Sequence, residues 1–343
     1  MNNKKILVTG GTGFIGSHTV VELQQNGFDV IIVDNLSNSS IDVLDNIAKI
    51  TGIMPAFEQF DLADAALTAG FFRRNAQIDG IIHFAAFKAV GESMAKPLDY
   101  YRNNLQSLIN LLEGMKTNGI TNMVFSSSCT IYGQPDVLPV TEQAPVKPAW
   151  SPYGNTKQMC EKILRFVTHS HPIHAIAFRY FNPIGAHHSA LIGELPLGVP
   201  NNLVPFITQT AIGKRDCLSV FGDDYSTPDG TAVRDYIHVV DIAKAHVVAV
   251  ERMLGGKTKL NLEIFNLGTG TGYSVLDVIN AFEKVSGEKL NYKIVPRHPG
   301  DVEMVWADTR FANDELGWKA GMTLDDMMSS AWKWEKALVS RPV

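Results

Sequence analysis

Lys5-Ile6-Leu7-Val8-Thr9-Gly10-Gly11-Thr12-Gly13-Phe14-Ile15-Gly16 decides how this chain is read. An apolar run, Ile6 to Val8, ends at Gly10, Gly13 and Gly16, and Ser17 to Asn26 has helix-compatible composition. The pattern predicts a strand, a tight turn and a helix. In such a unit Gly10 suits the turn, Gly13 lets backbone approach a phosphate, and Gly16 allows close packing of helix on sheet, with the helix N-terminus facing the anion. The glycines alone are a weak signal, because the spacing is G-x-x-G-x-x-G rather than the commoner G-x-G-x-x-G. A second apolar run, Val30-Ile31-Ile32-Val33, strengthens it by ending in Asp34, where a dinucleotide site needs a carboxylate for the adenosine ribose 2′-hydroxyl. That carboxylate repels a 2′-phosphate, so the pattern selects NAD over NADP.

The alternation continues. Strands are expected at Pro55 to Phe60, Gly80 to Ala85, Asn122 to Ser126 and Ile173 to Phe181, with helices at Ala63 to Asn75, from about Pro97 to Gly119, and from Ser151-Pro152 to His169. Strands and helices in turn imply a parallel sheet whose strand ends share one ligand-binding edge. From Asn182 glycines and prolines crowd a long connection, and shorter mixed elements follow. The expected fold is α/β: a Rossmann-type doubly wound parallel sheet and a smaller mixed α/β substrate-binding domain. Residues 1–181 form the NAD-binding domain, receiving a later segment near 235–255, and 182–343 form the second domain.

A chain of 343 residues with a formal charge of −5 offers no electrostatic case for nucleic acid and can bury a sizeable core. No apolar run approaches a membrane span, and the N-terminus lacks a signal core, so the cytoplasm is the expected compartment. Three cysteines without C-x-x-C spacing suggest neither a disulfide framework nor a zinc ribbon. His83 and His187-His188 lack ligands at metal spacing, so no metal is expected. Trp332, Trp334 and Met327-Met328 read as packing on the last helix.

Tyr153 and Lys157 are four apart in Ser151-Pro152-Tyr153-Gly154-Asn155-Thr156-Lys157, so on a helix they share a face. A tyrosine must be moved by about three pH units, roughly 4 kcal/mol, to serve as a base near neutrality. An ammonium about 4 Å away supplies up to about 4 kcal/mol at an effective dielectric of 20, whereas a helix N-terminus supplies about 0.3 to 1 kcal/mol. Lys157, joined by the charge of oxidised nicotinamide, is therefore expected to be the main influence. Ser128, closing Ser126-Ser127-Ser128, is expected to bind the same substrate hydroxyl.

The glycine turn, the serine run and Tyr153-x-x-x-Lys157 together resemble the extended short-chain dehydrogenases/reductases. Ala89-Val90-Gly91-Glu92-Ser93, Arg179-Tyr180-Phe181-Asn182-Pro183, Pro200-Asn201-Asn202-Leu203 and Arg234-Asp235-Tyr236-Ile237-His238 are similar to the UDP-hexose 4-epimerase branch, over nearly the whole chain. The resemblance implies reversible inversion at C4 of a UDP-hexose through a 4-keto sugar, with NAD retained. Around the cofactor it implies Gly10, Gly13, Phe14, Ile15, Gly16, Asp34, Asn35 and Asn38. Asp61 and Leu62 would flank the adenine, and Phe84, Lys88, Asn103, Tyr153, Lys157 and Tyr180 would line the rest of the path. For the nucleotide sugar it implies Lys88, Ser128, Asn182, Asn202, Leu203, Phe221, Arg234, Arg297 and Asp301.

His298 stands where the branch has a second, diphosphate-contacting arginine, which predicts weaker binding as pH rises from 6 to 8. By the same resemblance Val305 stands at the place bordering the sugar's C2 position; its small size predicts room for UDP-N-acetylglucosamine and UDP-N-acetylgalactosamine beside UDP-glucose and UDP-galactose. The resemblance also implies a homodimer, pairing the helices after Pro97 and Pro152. A dehydratase or decarboxylase would begin with the same oxidation, but Ser128-Cys129-Thr130-Ile131-Tyr132 lacks the carboxylates a dehydratase needs. A non-catalytic NAD sensor would need neither Tyr153 nor Lys157.

Overall fold

Consecutive residues of the first strand go to opposite sides: Ile6 and Val8 join one buried cluster and Leu7 another. The same split recurs at Val30 and Ile32 against Ile31 and Val33, and at Val124 against Met123 and Phe125. Unbroken apolar runs are what a parallel sheet covered on both faces requires. The computed structural model describes residues 3–297 and 302–340. It contains β1 (Lys5–Thr9), β2 (Asp29–Asp34), β3 (Ala56–Gln59), β4 (Gly80–His83), β5 (Asn122–Ser128) and β6 (His174–Tyr180). Between these run α1 (Phe14–Gln25), α2 (Asp42–Thr51), α3 (Ala65–Arg74), α4 (Val90–Ala95), α5 (Pro97–Asn118) and α6 (Pro152–Ser170). Ser151 caps α6 by accepting from the Gly154 amide at 3.1 Å, and Pro152 occupies the first turn, where its missing N–H costs nothing.

Next come β7 (Asn182–Ile184), α7 (Leu203–Ala211), β8 (Leu218–Phe221), β9 (Val233–His238), α8 (Val239–Leu254) and β10 (Leu262–Leu267). The main sheet runs β3-β2-β1-β4-β5-β6-β10, and its paired strands are all parallel. Residues of α1, α2 and α8 cover one face and those of α3, α5 and α6 the other. The segment returning to this sheet is therefore 239–267, not the expected 235–255, because β9 pairs elsewhere. Strand order reverses between β1 and β4, which places the ligand crevice at their C-terminal ends.

The remaining elements are β11 (Gly272–Ser274), α9 (Val275–Ser286), β12 (Tyr292–Val295), β13 (Met304–Val305) and α10 (Leu324–Ser340). β9 pairs with β7, β11 and β13, and β8 with β12. Asp235 ties this smaller sheet to the loop after β10, accepting from the amides of Thr269 (2.8 Å) and Gly270 (3.0 Å), and also from that of Ala307 (3.1 Å), just past β13. Beneath it, Val204, Ile207, Phe282, Met327, Met328 and Trp332 share a core, so the last helix's Met pair and Trp332 are packing.

Candidate active site

Gly10 leaves β1 with φ +71°, and a Cβ there would lie 2.7 Å from the Ala85 nitrogen. A Cβ on Gly16 would collide with the Gly10 carbonyl, so the first turn of α1 rests directly on the glycine turn. Gly13 is the N-cap and provides no side-chain acceptor, which leaves first-turn amides of Phe14, Ile15 and Gly16 available to an anion. Asp34, 7 % exposed at the end of β2, accepts from the amides of Thr12 (3.3 Å) and Leu36 (3.0 Å). Asn35 turns to the Ser37 amide and Asn38 is exposed on the same loop. Asp61 is exposed after β3, whereas the Leu62 side chain, expected beside the adenine, is buried in the core with Phe71 and Leu111. Phe84 follows β4, its ring 4.8 Å from that of His246. A turn without room for side chains, an uncapped helix start and a buried carboxylate fit NAD.

Ser128, Tyr153 and Lys157 meet where β5 ends. Tyr153 stands beside Ser128. The Ser128 hydroxyl accepts from the Thr130 hydroxyl at 2.9 Å. Lys157 Nζ donates to the Ser126 carbonyl at 2.6 Å and lies 5.9 Å from the centre of the Tyr153 ring. Burial pushes the Tyr153 phenol up to about 12, opposed by Ser128, and pulls the Lys157 ammonium down to about 8. Bringing a phenol from about 12 to neutrality takes about 7 kcal/mol.

Tyr180 is buried with its hydroxyl 2.7 Å from His246 Nε2. Asn103 donates to the Asn104 side chain at 2.9 Å, and Asn104 in turn receives the Phe87 amide at 2.8 Å. His83, 2.7 Å from the Thr9 hydroxyl, is driven down to about 3 by burial and is neutral. No cluster of metal-binding side chains occurs among the described residues.

On the substrate side, Glu194 joins two predicted residues: its Oε1 lies 3.6 Å from Lys88 Nζ and accepts from Asn202 Nδ2 at 2.6 Å. Sequence reading passed over Glu194; its signal was an acid inside a Gly/Pro-rich connection just ahead of Asn201-Asn202. Asn182 lies on β7 opposite Tyr236, Leu203 opens α7, and Phe221 ends β8 with 44 % exposure. Arg234 on β9 is in register with Val305 on β13. Val305 is buried with Ile131, Tyr132 and Phe181, and Cys129 packs against that cluster. Arg297 Nε pairs with Asp224 Oδ1 at 2.7 Å and its guanidinium lies 4.0 Å from the Tyr225 ring centre, so this arginine is already engaged. His298 and Asp301 lie outside the described residues.

Residues 7–331 match the family described as GDP-mannose 4,6 dehydratase. A UDP-glucose 4-epimerase of Pasteurella multocida is 52 % identical over 332 residues, 96 % of this chain and 97 % of that protein. A crystal structure of UDP-glucose-4-epimerase from Stenotrophomonas maltophila, with bound NAD and formylated UDP-arabinopyranose, matches with a TM-score of 0.95 at 48 % identity, covering 98 % of this chain and 99 % of that one. The Bifidobacterium longum UDP-glucose 4-epimerase, in complex with NAD+ and UDP, matches at 0.93 and 48 %, covering 97 % and 98 %. Fold and site define an NAD-dependent nucleotide-sugar epimerase or dehydratase of the extended short-chain dehydrogenase/reductase class. Within that class the chain belongs to the UDP-glucose 4-epimerase family.

Proposed function

We infer that this chain inverts C4 of UDP-hexoses, interconverting UDP-glucose and UDP-galactose with NAD retained and no net oxidation. The observation carrying this reading is the meeting of Ser128, Tyr153 and Lys157 at the end of β5, on the sheet edge where the glycine turn also opens. When bound, NAD supplies a reversible hydride acceptor for the sugar's C4 and, oxidised, a positive charge. Gly10, Gly13, Phe14, Ile15, Gly16 and Asp34 would hold it. Tyr153 takes the C4 hydroxyl proton and returns it once the 4-keto sugar has turned over, while Ser128 hydrogen-bonds the same oxygen. Lys157 and the oxidised cofactor together offset the burial that keeps the phenol protonated.

Dehydration would need a further acid and base beside Ser128. The segment 128–132 has no carboxylate, and burial holds the Cys129 thiol up at about 12, so neither is present there. Arg234, Asn182, Asn202, Leu203 and Phe221 would anchor the UDP, leaving the sugar free to present either face. We assign the larger sheet to NAD and most of 182–343 to the UDP-sugar, and on the size of Val305 we include N-acetylated UDP-hexoses. Leu98, Met159 and Phe166 are exposed apolar residues on α5 and α6, and support pairing of those two helices in a homodimer. Light scattering at micromolar concentration tests it: a monomer alone refutes it. Three free thiols fit the reducing cytoplasm, where we place the protein.

Purified protein, its NAD content measured, is incubated with UDP-galactose and no added cofactor. Formation of UDP-glucose supports the reading; no product with NAD bound overturns it.

A further inference from the structure

Three consecutive serines close β5, and each meets one face of α6. Tyr153 stands beside Ser128, Lys157 donates to the Ser126 carbonyl at 2.6 Å, and the Ser127 hydroxyl donates to Glu161 Oε1 at 2.5 Å. Residues 153, 157 and 161 recur every four positions, so successive turns of one helix hold the strand end. Glu161, 6 % exposed, is gripped from the other side by Arg179, with Nη2 2.7 Å from Oε2 and Nε 3.0 Å from Oε1. Arg179 also donates to the Tyr132 hydroxyl (2.8 Å) and the Glu142 carbonyl (3.0 Å), and Tyr132 donates to Asn266 of β10 at 2.7 Å. Desolvating such a pair offsets most of its attraction, which makes it a poor source of stability. What its bidentate geometry fixes is position.

We propose that Glu161 is a positioning residue for the epimerisation, locking Ser126 to Ser128 against α6 so that Ser128 meets Tyr153, and holding Lys157 in its charged form. The proposal rests on the reading of Tyr153 and Lys157 as the reacting pair. Around Lys157 stand Tyr153, Cys160, His83, Glu161 and, behind Glu161, Arg179. Burial keeps the first three neutral near pH 7, with the Cys160 thiol pushed up to about 11. Burial pulls Lys157 down to about 8, and Cys160 and Glu161 oppose it.

The test compares wild-type holoenzyme with Ser127→Ala and Glu161→Gln, following kcat and KM for UDP-galactose from pH 6 to 9.5, thermal unfolding and bound NAD. Ser127→Ala leaves the Glu161 pair in place; it should keep its melting temperature, NAD and KM while kcat falls about tenfold, the effect of one hydrogen bond. Glu161→Gln should move the alkaline limb of kcat down by about one pH unit, the influence of one opposite charge. Wild-type kcat in Ser127→Ala overturns the proposal, and so does an unmoved alkaline limb in folded Glu161→Gln. If Glu161→Gln does not fold, Ser127→Ala decides alone. Inactive wild-type holoenzyme would instead indict the catalytic reading.

Discussion

Lys157 is anchored to the strand rather than to the tyrosine: its Nζ donates to the Ser126 carbonyl at 2.6 Å, while the Tyr153 ring centre lies 5.9 Å away. Because burial pulls this ammonium down to about 8, its charge is lost just above neutrality. Turnover should therefore fall as pH rises through about 8, and a kcat profile flat to pH 10 would contradict the role given to that charge.

Gly16 tests the cofactor turn. A methyl group there collides with the Gly10 carbonyl, so Gly16→Ala must either move α1 off the turn or distort it. The variant should bind NAD at least about tenfold more weakly, since even one lost anion contact of about 1.4 kcal/mol is tenfold in affinity. Wild-type affinity, measured by NAD titration of the apo-protein, would refute the packing argument.

Burial lowers His18 and His83 to about 3, and His187, His238 and His246 to about 4. The unfolded chain binds protons at these sites from about pH 6.5 downward while the folded chain does not, so stability is lost on acidification. By pH 5 each such site disfavours folding by roughly 2 kcal/mol, and the five together approach the whole folding free energy of about 5–15 kcal/mol. Thermal unfolding followed from pH 7.5 to 5 should show a steep fall in Tm below pH 6.5. A Tm constant over that range would exclude neutral buried histidines.

What the sequence displayed was what lies close in the chain. The turn from Gly10 to Gly16 and the pair Tyr153 and Lys157 are local patterns, and strand alternation followed from unbroken apolar runs. α2 was overlooked although Val43, Leu44, Ile47 and Ile50 fall at helical spacing before Gly52. Other features were not legible because they depend on distant partners. Glu194 meets Lys88 and Asn202 only in the fold, Asp235 finds donors on the loop after β10, and Arg297 is drawn to Asp224 from 73 residues away. Likewise i,i+4 spacing gives Tyr153 and Lys157 a shared face, but not that the ammonium reaches the Ser126 carbonyl.

Val305 makes the substrate range testable. It is buried with Phe181 and Ile131, in register with Arg234, so a larger side chain must push toward its neighbours. Wild type should turn over UDP-N-acetylglucosamine as well as UDP-glucose, and Val305→Tyr should reduce kcat/KM for the acetylated sugar at least about tenfold more than for the plain one, a discrimination within the roughly 1–3 kcal/mol of pocket sterics. Equal losses on both sugars would refute a gatekeeping role.

In the proposed reaction one site removes and returns the C4 hydrogen of a UDP-hexose, with Tyr153 moving the hydroxyl proton. UDP-galactose carrying deuterium at C4 is incubated with the holoenzyme in ordinary water and no added NAD. The product should be UDP-glucose that keeps its deuterium at C4, formed about 10²- to 10⁴-fold more slowly by Tyr153→Phe. Product that has exchanged its deuterium for solvent hydrogen, or a Tyr153→Phe variant turning over at the wild-type rate, would contradict it.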